Sequence, residues 1–374
     1  MKVVKVRSPF IIEVGNYGGT QKGSMIILQV WNPNQPNLPY NQGDIGWYRF
    51  EKQIPSPTQK TTYYNVSNYL KEYINNIKPT YSTYADNEQD NECIHFQVTR
   101  FWYDGTTYTN LGYELYVGVN GFTNYADGNQ NPSTTKLQLL ANPNINNYYY
   151  KSSFADLKME YLNLLYDKLS TDTLSILYER VDGGIGSFTQ NVSVGSAANN
   201  NLKVPISLVI SQAIFENGCK VTITLTPASG SPTVYIFYTY PIEECKYTPV
   251  RCSFVNRYGG WKDIIFFKAQ TNTITVKGTD YKLTQSTINY NTAIGQFKTF
   301  NLNGKQTIKL NTGFVDENYS ELITDLLLSE TVLLDGKPVT VKTQGSDLKT
   351  SLKDRLINYE IEFEYAYNLI NDVV

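Results

Sequence analysis

The sequence has little with which to build the commoner kinds of chemical site. Among 374 residues there are one histidine, four cysteines and three methionines, and the basic residues never gather into a run. A single histidine, His95, excludes His-pair metal sites and leaves one imidazole for acid–base work. Cys93, Cys219, Cys245 and Cys252 are spread too thinly for a disulfide scaffold, and the seven-residue step from Cys245 to Cys252 does not match the short-gap pairs of zinc sites. They read as reduced packing or surface residues. A formal net charge of −2 without a Lys/Arg stripe argues against sequence-specific nucleic-acid binding. Net charge does not report how charge is distributed once subunits surround an axis, so a ring of copies retains the option of a local basic lining.

Long apolar runs are also missing. Nothing approaches the ~20 apolar residues of a membrane helix, so no membrane partner is expected. Met1 to Ser8 interleaves charges with valines and lacks the apolar centre of a signal peptide, which predicts synthesis in the cytoplasm.

What the chain has in quantity is tyrosine, 31 of them, within a 41% apolar and 14% aromatic composition that also favours Asn and Thr. These residues suit strands, turns and wet, hydrogen-bonding surfaces better than long helices. The expectation is a mainly β protein of two or three antiparallel sandwich-like or barrel-like domains with a few short helices.

Three segments follow: a β-rich 1–150 with one helix, a small sandwich over 151–245, and a β domain over 246–374 with one amphipathic helix. In the first, Ile26–Trp31, His95–Tyr103 and Tyr113–Val119 read as strands, and Asp104-Gly105 and Asn120-Gly121 as hairpin dipeptides. Tyr69, Leu70, Tyr73, Ile74 and Ile77 share a helical face over 68–77, with Asn65 or Ser67 as cap. In the second, Phe154, Leu157, Tyr161 and Leu165 fit a helix capped by Ser153. Strands are expected at Leu174–Tyr178, Pro205–Ile210, Lys220–Leu225 and Thr233–Tyr238, separated by turns that include Asn217-Gly218.

The third segment predicts three successive hairpins. Their turns are Lys277-Gly278-Thr279-Asp280, Asn303-Gly304 and Asp335-Gly336. Behind Asp316 as cap, Tyr319, Leu322, Ile323, Leu326 and Leu327 form the apolar face of a helix over 317–328. The chain closes with Ile357, Tyr359, Ile361, Phe363 and Tyr365 alternating against Asn358, Glu360, Glu362 and Glu364, a pattern that specifies strand register strongly.

Candidate chemistry is sparse. Cys93 and His95 would share one face of a strand, yet same-face neighbours stand about 6.5–7 Å apart and nothing nearby supplies an orienting group or an oxyanion hole. Side-by-side packing is the simpler reading. Asp182-Gly183-Gly184-Ile185-Gly186-Ser187 lacks the Gly-Lys-Ser/Thr ending of a phosphate loop and reads as a turn. Asp86, Glu88, Asp90 and Glu92 lack the glycine and spacing of a calcium loop and read as a solvated segment. No catalytic, cofactor-binding or metal-ligating residue is expected, and no enzyme. In Asn256-Arg257-Tyr258-Gly259-Gly260-Trp261, residues Arg257, Tyr258, Gly259 and Trp261 are the candidate anchors, either of a core or of a contact surface, since Trp, Tyr and Arg dominate interface hot spots.

Three stretches carry a resemblance: C-K-Y-T-P-V-R-C-S-F-V-N-R-Y-G-G-W-K-D-I-I-F-F-K from Cys245, L-N-T-G-F-V-D-E-N-Y-S-E-L-I-T-D-L-L-L-S-E from Leu310, and L-K-T-S-L-K-D-R-L-I-N-Y-E-I-E-F-E-Y-A-Y from Leu348. Together they resemble a tail-region structural protein of bacteriophages of Bacteroidetes and related hosts, including the crAss-like phages. The resemblance covers 245–374 and carries over no catalytic residue. It implies a virion component made in the host cytoplasm, a ring of identical subunits in the tail barrel, collar or baseplate, with other tail or portal-region proteins as partners. The competing reading is a tail-tip receptor-binding or glycan-binding protein, with aromatic and polar groups of Tyr125–Asn131 facing sugar.

Overall fold

Alternation of apolar and polar residues organises this chain into strands. In Cys219–Thr226 every second side chain is buried, and in Ile357–Tyr365 the apolar residues point inward while Asn358, Glu360 and Glu362 point out. A computed structural model describes residues 2–15, 21–32, 38–54, 58, 61–75, 93–130, 132, 137–145, 147–151, 161–166, 173–182, 187–192, 202–207, 217–227, 230–284, 288, 291–345 and 357–371. The mainly β expectation holds across them.

The strands in chain order are β1 (Lys2–Lys5), β2 (Ile11–Gly15), β3 (Gly23–Trp31), β4 (Trp47–Gln53), β5 (Thr61–Asn65), β6 (Cys93–Tyr103), β7 (Tyr108–Val119), β8 (Leu137–Leu139), β9 (Asn147–Lys151), β10 (Tyr161–Tyr166) and β11 (Thr173–Arg180). They continue with β12 (Ser187–Val192), β13 (Leu202–Ser207), β14 (Cys219–Thr226), β15 (Thr233–Ile242), β16 (Val250–Val255), β17 (Trp261–Phe266), β18 (Thr271–Lys282), β19 (Phe297–Val315), β20 (Val332–Leu334), β21 (Lys337–Val341) and β22 (Ile357–Tyr365). Among the described residues the α-helices are α1 (Ser67–Lys71) and α2 (Tyr319–Leu327), with a 3-10 turn at Tyr125–Asp127. Two compact units emerge, Met1–Ile242 with Phe254–Asp263, and Glu243–Ser253 with Ile264–Val374.

The first unit opens with a five-stranded sheet in the order β1-β7-β6-β3-β4. The pleat of β6 sends Ile94, Phe96 and Val98 to one face, where they meet Ile12 and Val14 of β2, Tyr64 of β5 and Leu70 of α1. Phe10 stands edge-on to Tyr116 at 5.1 Å between ring centres, and Tyr116 stacks on Phe96 at 5.0 Å. α1 is a single turn, shorter than the 68–77 expected, and position 77 lies outside the described residues. Its N-cap is Val66 rather than Asn65 or Ser67. The Ser67 hydroxyl is used elsewhere: it accepts from the Phe10 amide at 2.6 Å and donates to the Ser8 carbonyl at 2.7 Å, pinning the helix start to the strand entering the core.

The same unit holds the sheet β12-β11-β14-β15-β9, in which β9 runs parallel to β15, and the sheet β13-β10-β8. Residues 161–166 are β10, so Tyr161 and Leu165 lie on a strand and not on the expected helix; antiparallel pairing with β13 on one side and β8 on the other satisfies the backbone that a helix would have satisfied internally. Residues 153–160 of that expectation lie outside the described residues. Asp104-Gly105 does turn β6 into β7, with Asp104 Oδ1 accepting from the Thr106 and Thr107 amides at 2.7 and 2.8 Å. Asn120-Gly121 makes no hairpin: β7 ends at Val119, the chain bends at Asn120, and the Gly121 carbonyl accepts from the Arg7 amide at 3.0 Å.

Most of a seven-stranded sheet, β17-β16-β20-β21-β22-β19-β18, falls in the second unit, while Phe254 and Val255 of β16 and Trp261–Asp263 of β17 are counted with the first. α2 packs Tyr319, Leu322, Ile323 and Leu326 inward; its N-cap is Asn318, not Asp316, whose carbonyl accepts from the Tyr319 amide at 3.0 Å. Of the three expected hairpins only β20–β21 forms, with Asp335 at φ 46° and Gly336 at φ 81°, both central positions of a primed turn. The other two dipeptides lie inside unbroken strands. β18 and β19 pair with each other, and the register shift between Lys277 and Thr279 makes Gly278 part of a bulge rather than a turn. Asn303 sits opposite Lys277, and its side chain joins the backbone of Ile370, accepting from the amide at 3.1 Å and donating to the carbonyl at 3.2 Å.

Candidate functional site

The run from Asn256 to Trp261 joins β16 to β17 and belongs to the first unit. Asn256 organises it. Its Oδ1 accepts from the amides of Tyr258 at 2.9 Å and Gly260 at 3.0 Å, while its Nδ2 donates to the Leu140 carbonyl at 3.0 Å. Its backbone closes the turn, the amide donating to the Gly260 carbonyl at 2.8 Å. Trp261 is 1% exposed. Tyr258 is half-buried against Cys93, Val117, Val119 and Leu140, and its ring receives the Lys5 ammonium at 4.7 Å and the Arg257 guanidinium at 5.1 Å. Arg257 also donates to the Tyr258 hydroxyl at 3.0 Å, and its carbonyl accepts from the Phe122 amide at 2.9 Å. Arg257, Tyr258, Gly259 and Trp261 are thus brought together in one turn of the first unit, with Gly259 and Trp261 buried and Arg257 and Tyr258 half-buried.

Gly259 has φ +86°, and a Cβ there would stand 3.0 Å from the Val119 Cβ and 3.1 Å from the Asn120 amide. Gly259→Ala combines left-handed backbone strain with that close approach and is expected to cost about 2 kcal/mol. Thermal unfolding of the full chain checks this, with a Tm lowered by several degrees as the expected result and an unchanged Tm as the contrary one.

The remaining sequence candidates are dispersed. Cys93 packs with Val117, Val119 and Leu140, and His95 meets the edge of Trp31 at 5.9 Å between ring centres. Both are buried in β6. Cys219 and Cys252 are buried and Cys245 exposed; all four cysteines are unbridged. Asp182 accepts from Arg180 Nε at 2.8 Å and Asn217 Nδ2 at 3.2 Å, whereas 183–186 and the acidic positions 86, 88, 90 and 92 lie outside the described residues. Among the described residues no three His, Cys, Asp or Glu side chains gather as a metal site, and no helix is long and apolar enough to cross a membrane.

A different feature dominates the second unit. All twelve residues of β18 are exposed, and so are the first six of β19 opposite them. This two-stranded ribbon carries Ile274, Val276, Phe297 and Leu302 at 60, 56, 64 and 52% exposure, together with Tyr281 edge-on to Phe300 at 5.5 Å. Among the described residues β18 is also the last strand of its sheet, so no described strand lies beside one row of its backbone amides and carbonyls. Sequence reading missed this surface because it placed turns inside both strands. The signal available was compositional: β18 has only three large apolar side chains in twelve residues, too few for a strand that lines a core.

No protein-family profile matches the sequence, and no curated protein matches it. Among solved structures, similarity is found to the crystal structure of CBD12 from CALX1.2, at 10% identity, covering 61% of this chain and 79% of that one with a TM-score of 0.19. The calcium binding domain CBD12 of CALX1.1 is similar at 12% identity, covering 62% and 76% with a TM-score of 0.19.

Proposed function

We propose that this chain is a structural subunit that works by assembly: a bacteriophage virion protein forming a ring with its own copies in the tail barrel, collar or baseplate and joining neighbouring tail components. The observation that carries the assembly reading is the β18–β19 ribbon. Beyond the pairing of Thr307 with β22, β18 and β19 continue as a two-stranded ribbon, which is marginal by itself in water, and it leaves Val276, Phe297, Phe300 and Leu302 in solvent. Covering it by a neighbour removes that apolar area from water, and an open edge strand accepts a neighbour's strand through backbone hydrogen bonds. The twelve residues of β18 with the facing part of β19 approach the roughly 20–30 residues a side of a standard interface. The virion and ring elements of the proposal rest on the sequence resemblance over 245–374; heterologous contacts, one patch meeting a different patch, are what close rings.

Sedimentation and electron microscopy of the full chain, alone and in the native particle, test the reading. Closed rings or symmetric copies at the tail are expected. Ile274→Glu combined with Phe300→Glu places two charges on the ribbon without touching the core, and is expected to weaken self-association at least tenfold while leaving the far-UV spectrum unchanged. A wild-type chain that stays monomeric at high concentration and is absent from particles would overturn the proposal.

A further inference from the structure

On the solvent face of the second unit's sheet, strand pairing concentrates positive charge around one carboxylate. Glu364 of β22 lies opposite Thr307 of β19 and Thr340 of β21. Lys305 and Lys342 stand two residues along from those threonines, on the same face, and reach back to it: Lys305 Nζ is 3.1 Å from Oε1 and Lys342 Nζ is 3.1 Å from Oε2. Those two ammonium groups hold the Glu364 carboxyl below its ordinary range, so it stays ionised at neutral pH. Thr275 of β18 pairs with Lys305, and Lys277, two residues further, brings a third ammonium group to the same face. These side chains line a cleft of about 300 Å³.

Three lysines facing one glutamate leave a formal excess of two positive charges in the cleft (3 − 1 = 2). The Thr275 hydroxyl and the Asn368 side chain add neutral polar groups to the lining. The rest of the same face is closer to balance, since Lys309 is matched by Glu360 through a direct ion pair and Glu362 lies beside them. An excess of two charges, carried by flexible ammonium donors around a concave site, suits a compact dianion whose oxygens are spread tetrahedrally. We propose that this cleft binds a phosphate group in its dianionic form, held by Lys277, Lys305 and Lys342, with Glu364 bridging the last two and holding them at the cleft. Thr275 and Lys277 lie on the face of β18 opposite Ile274 and Val276, and every group of the cleft comes from one chain, so the site needs no second copy to form.

Two sources share this chemistry, free inorganic phosphate and the terminal phosphate of a phosphomonoester. Calorimetric titration of the full chain at low ionic strength separates them, using inorganic phosphate in one arm and glucose 6-phosphate in the other, with sodium chloride at matched ionic strength as control. Saturable binding in at least one phosphate arm is expected, with chloride giving none. Lys277→Gln and Lys342→Gln are each expected to weaken it at least fivefold, and Lys298→Gln, an exposed lysine outside the cleft, to leave it unchanged. Binding of glucose 6-phosphate alone assigns the ester as the source. Absence of saturable binding in both arms overturns the proposal, as does binding that survives Lys277→Gln and Lys342→Gln at full strength. All three variants change exposed side chains, so circular dichroism of each is expected to match the parent.

Discussion

Trp261→Ala is expected to lower the unfolding free energy of the chain by about 3–5 kcal/mol, the usual cost of emptying a large aromatic site in a core. Trp261 is among the largest fully buried side chains, and it begins β17 directly after the Asn256 turn. Removing the indole deletes its packing and leaves a cavity that a turn stitched to Leu140 and Phe122 is poorly able to close. Urea denaturation followed by far-UV circular dichroism reads the effect as a lowered midpoint. A shift worth less than about 1 kcal/mol would show that the site collapses around the missing ring, and would remove Trp261 from the list of core anchors. Because the side chain is inside, loss of assembly in this variant is expected to follow from loss of folding, and the two should fail together as temperature rises.

Asn256→Ala is expected to be nearly as damaging although it deletes only a small polar group. One amide side chain serves two backbone donors, Tyr258 and Gly260, and one acceptor, the Leu140 carbonyl, and Asn256 itself is buried. Alanine leaves those three groups short of a partner in a region that water reaches poorly. At roughly 1–3 kcal/mol for each buried group left unsatisfied, a loss of about 3 kcal/mol is expected after partial relaxation. Asn256→Asp keeps the two accepted bonds and loses the donated one while adding a buried charge, so it should also destabilise, and more at high pH than at low pH. Urea midpoints measured at two pH values check both variants; equal stability of wild type and Asn256→Ala would mean that water replaces the side chain. The effects of Asn256→Ala and Trp261→Ala should not add, since both act on the same turn.

Much of the fold was legible in the residues. The alternation from Ile357 to Tyr365 named β22, its register and its inward face, and the structure buries Ile357, Tyr359, Ile361 and Phe363 there. The spacing of Tyr319, Leu322, Ile323 and Leu326 named the buried face of α2, and Asp335-Gly336 named its turn. These succeeded because each is a local pattern whose meaning does not depend on a distant partner. Asn303-Gly304 has the same local form as Asp335-Gly336 and yet continues a strand. The difference is non-local: Asn303 is opposite Lys277 and its side chain is taken by Ile370, 67 residues away. The short stretch at Tyr161–Tyr166 misled for a related reason, since apolar residues at helical spacing also serve a strand flanked on both sides.

The candidate sites divide in the same way. Arg257, Tyr258, Gly259 and Trp261 were visible as an aromatic-glycine run, but only the packing shows that Trp261 is buried while Arg257 and Tyr258 stay half-buried, because burial is a property of what surrounds a turn and not of the turn's own text. The cleft around Glu364 gave no signal in one dimension, its three lysines being separated by 28 and 37 positions (305 − 277 and 342 − 305). By itself, then, the sequence determined strand content, the local apolar faces and the Asp335-Gly336 turn. Tertiary structure decided which Gly-containing dipeptides turn, which strands lie at an edge, and which charges meet. The physical reason is that a pleated strand carries its alternation in its own residues, whereas pairing partner, exposure and electrostatic neighbourhood are set by segments far along the chain.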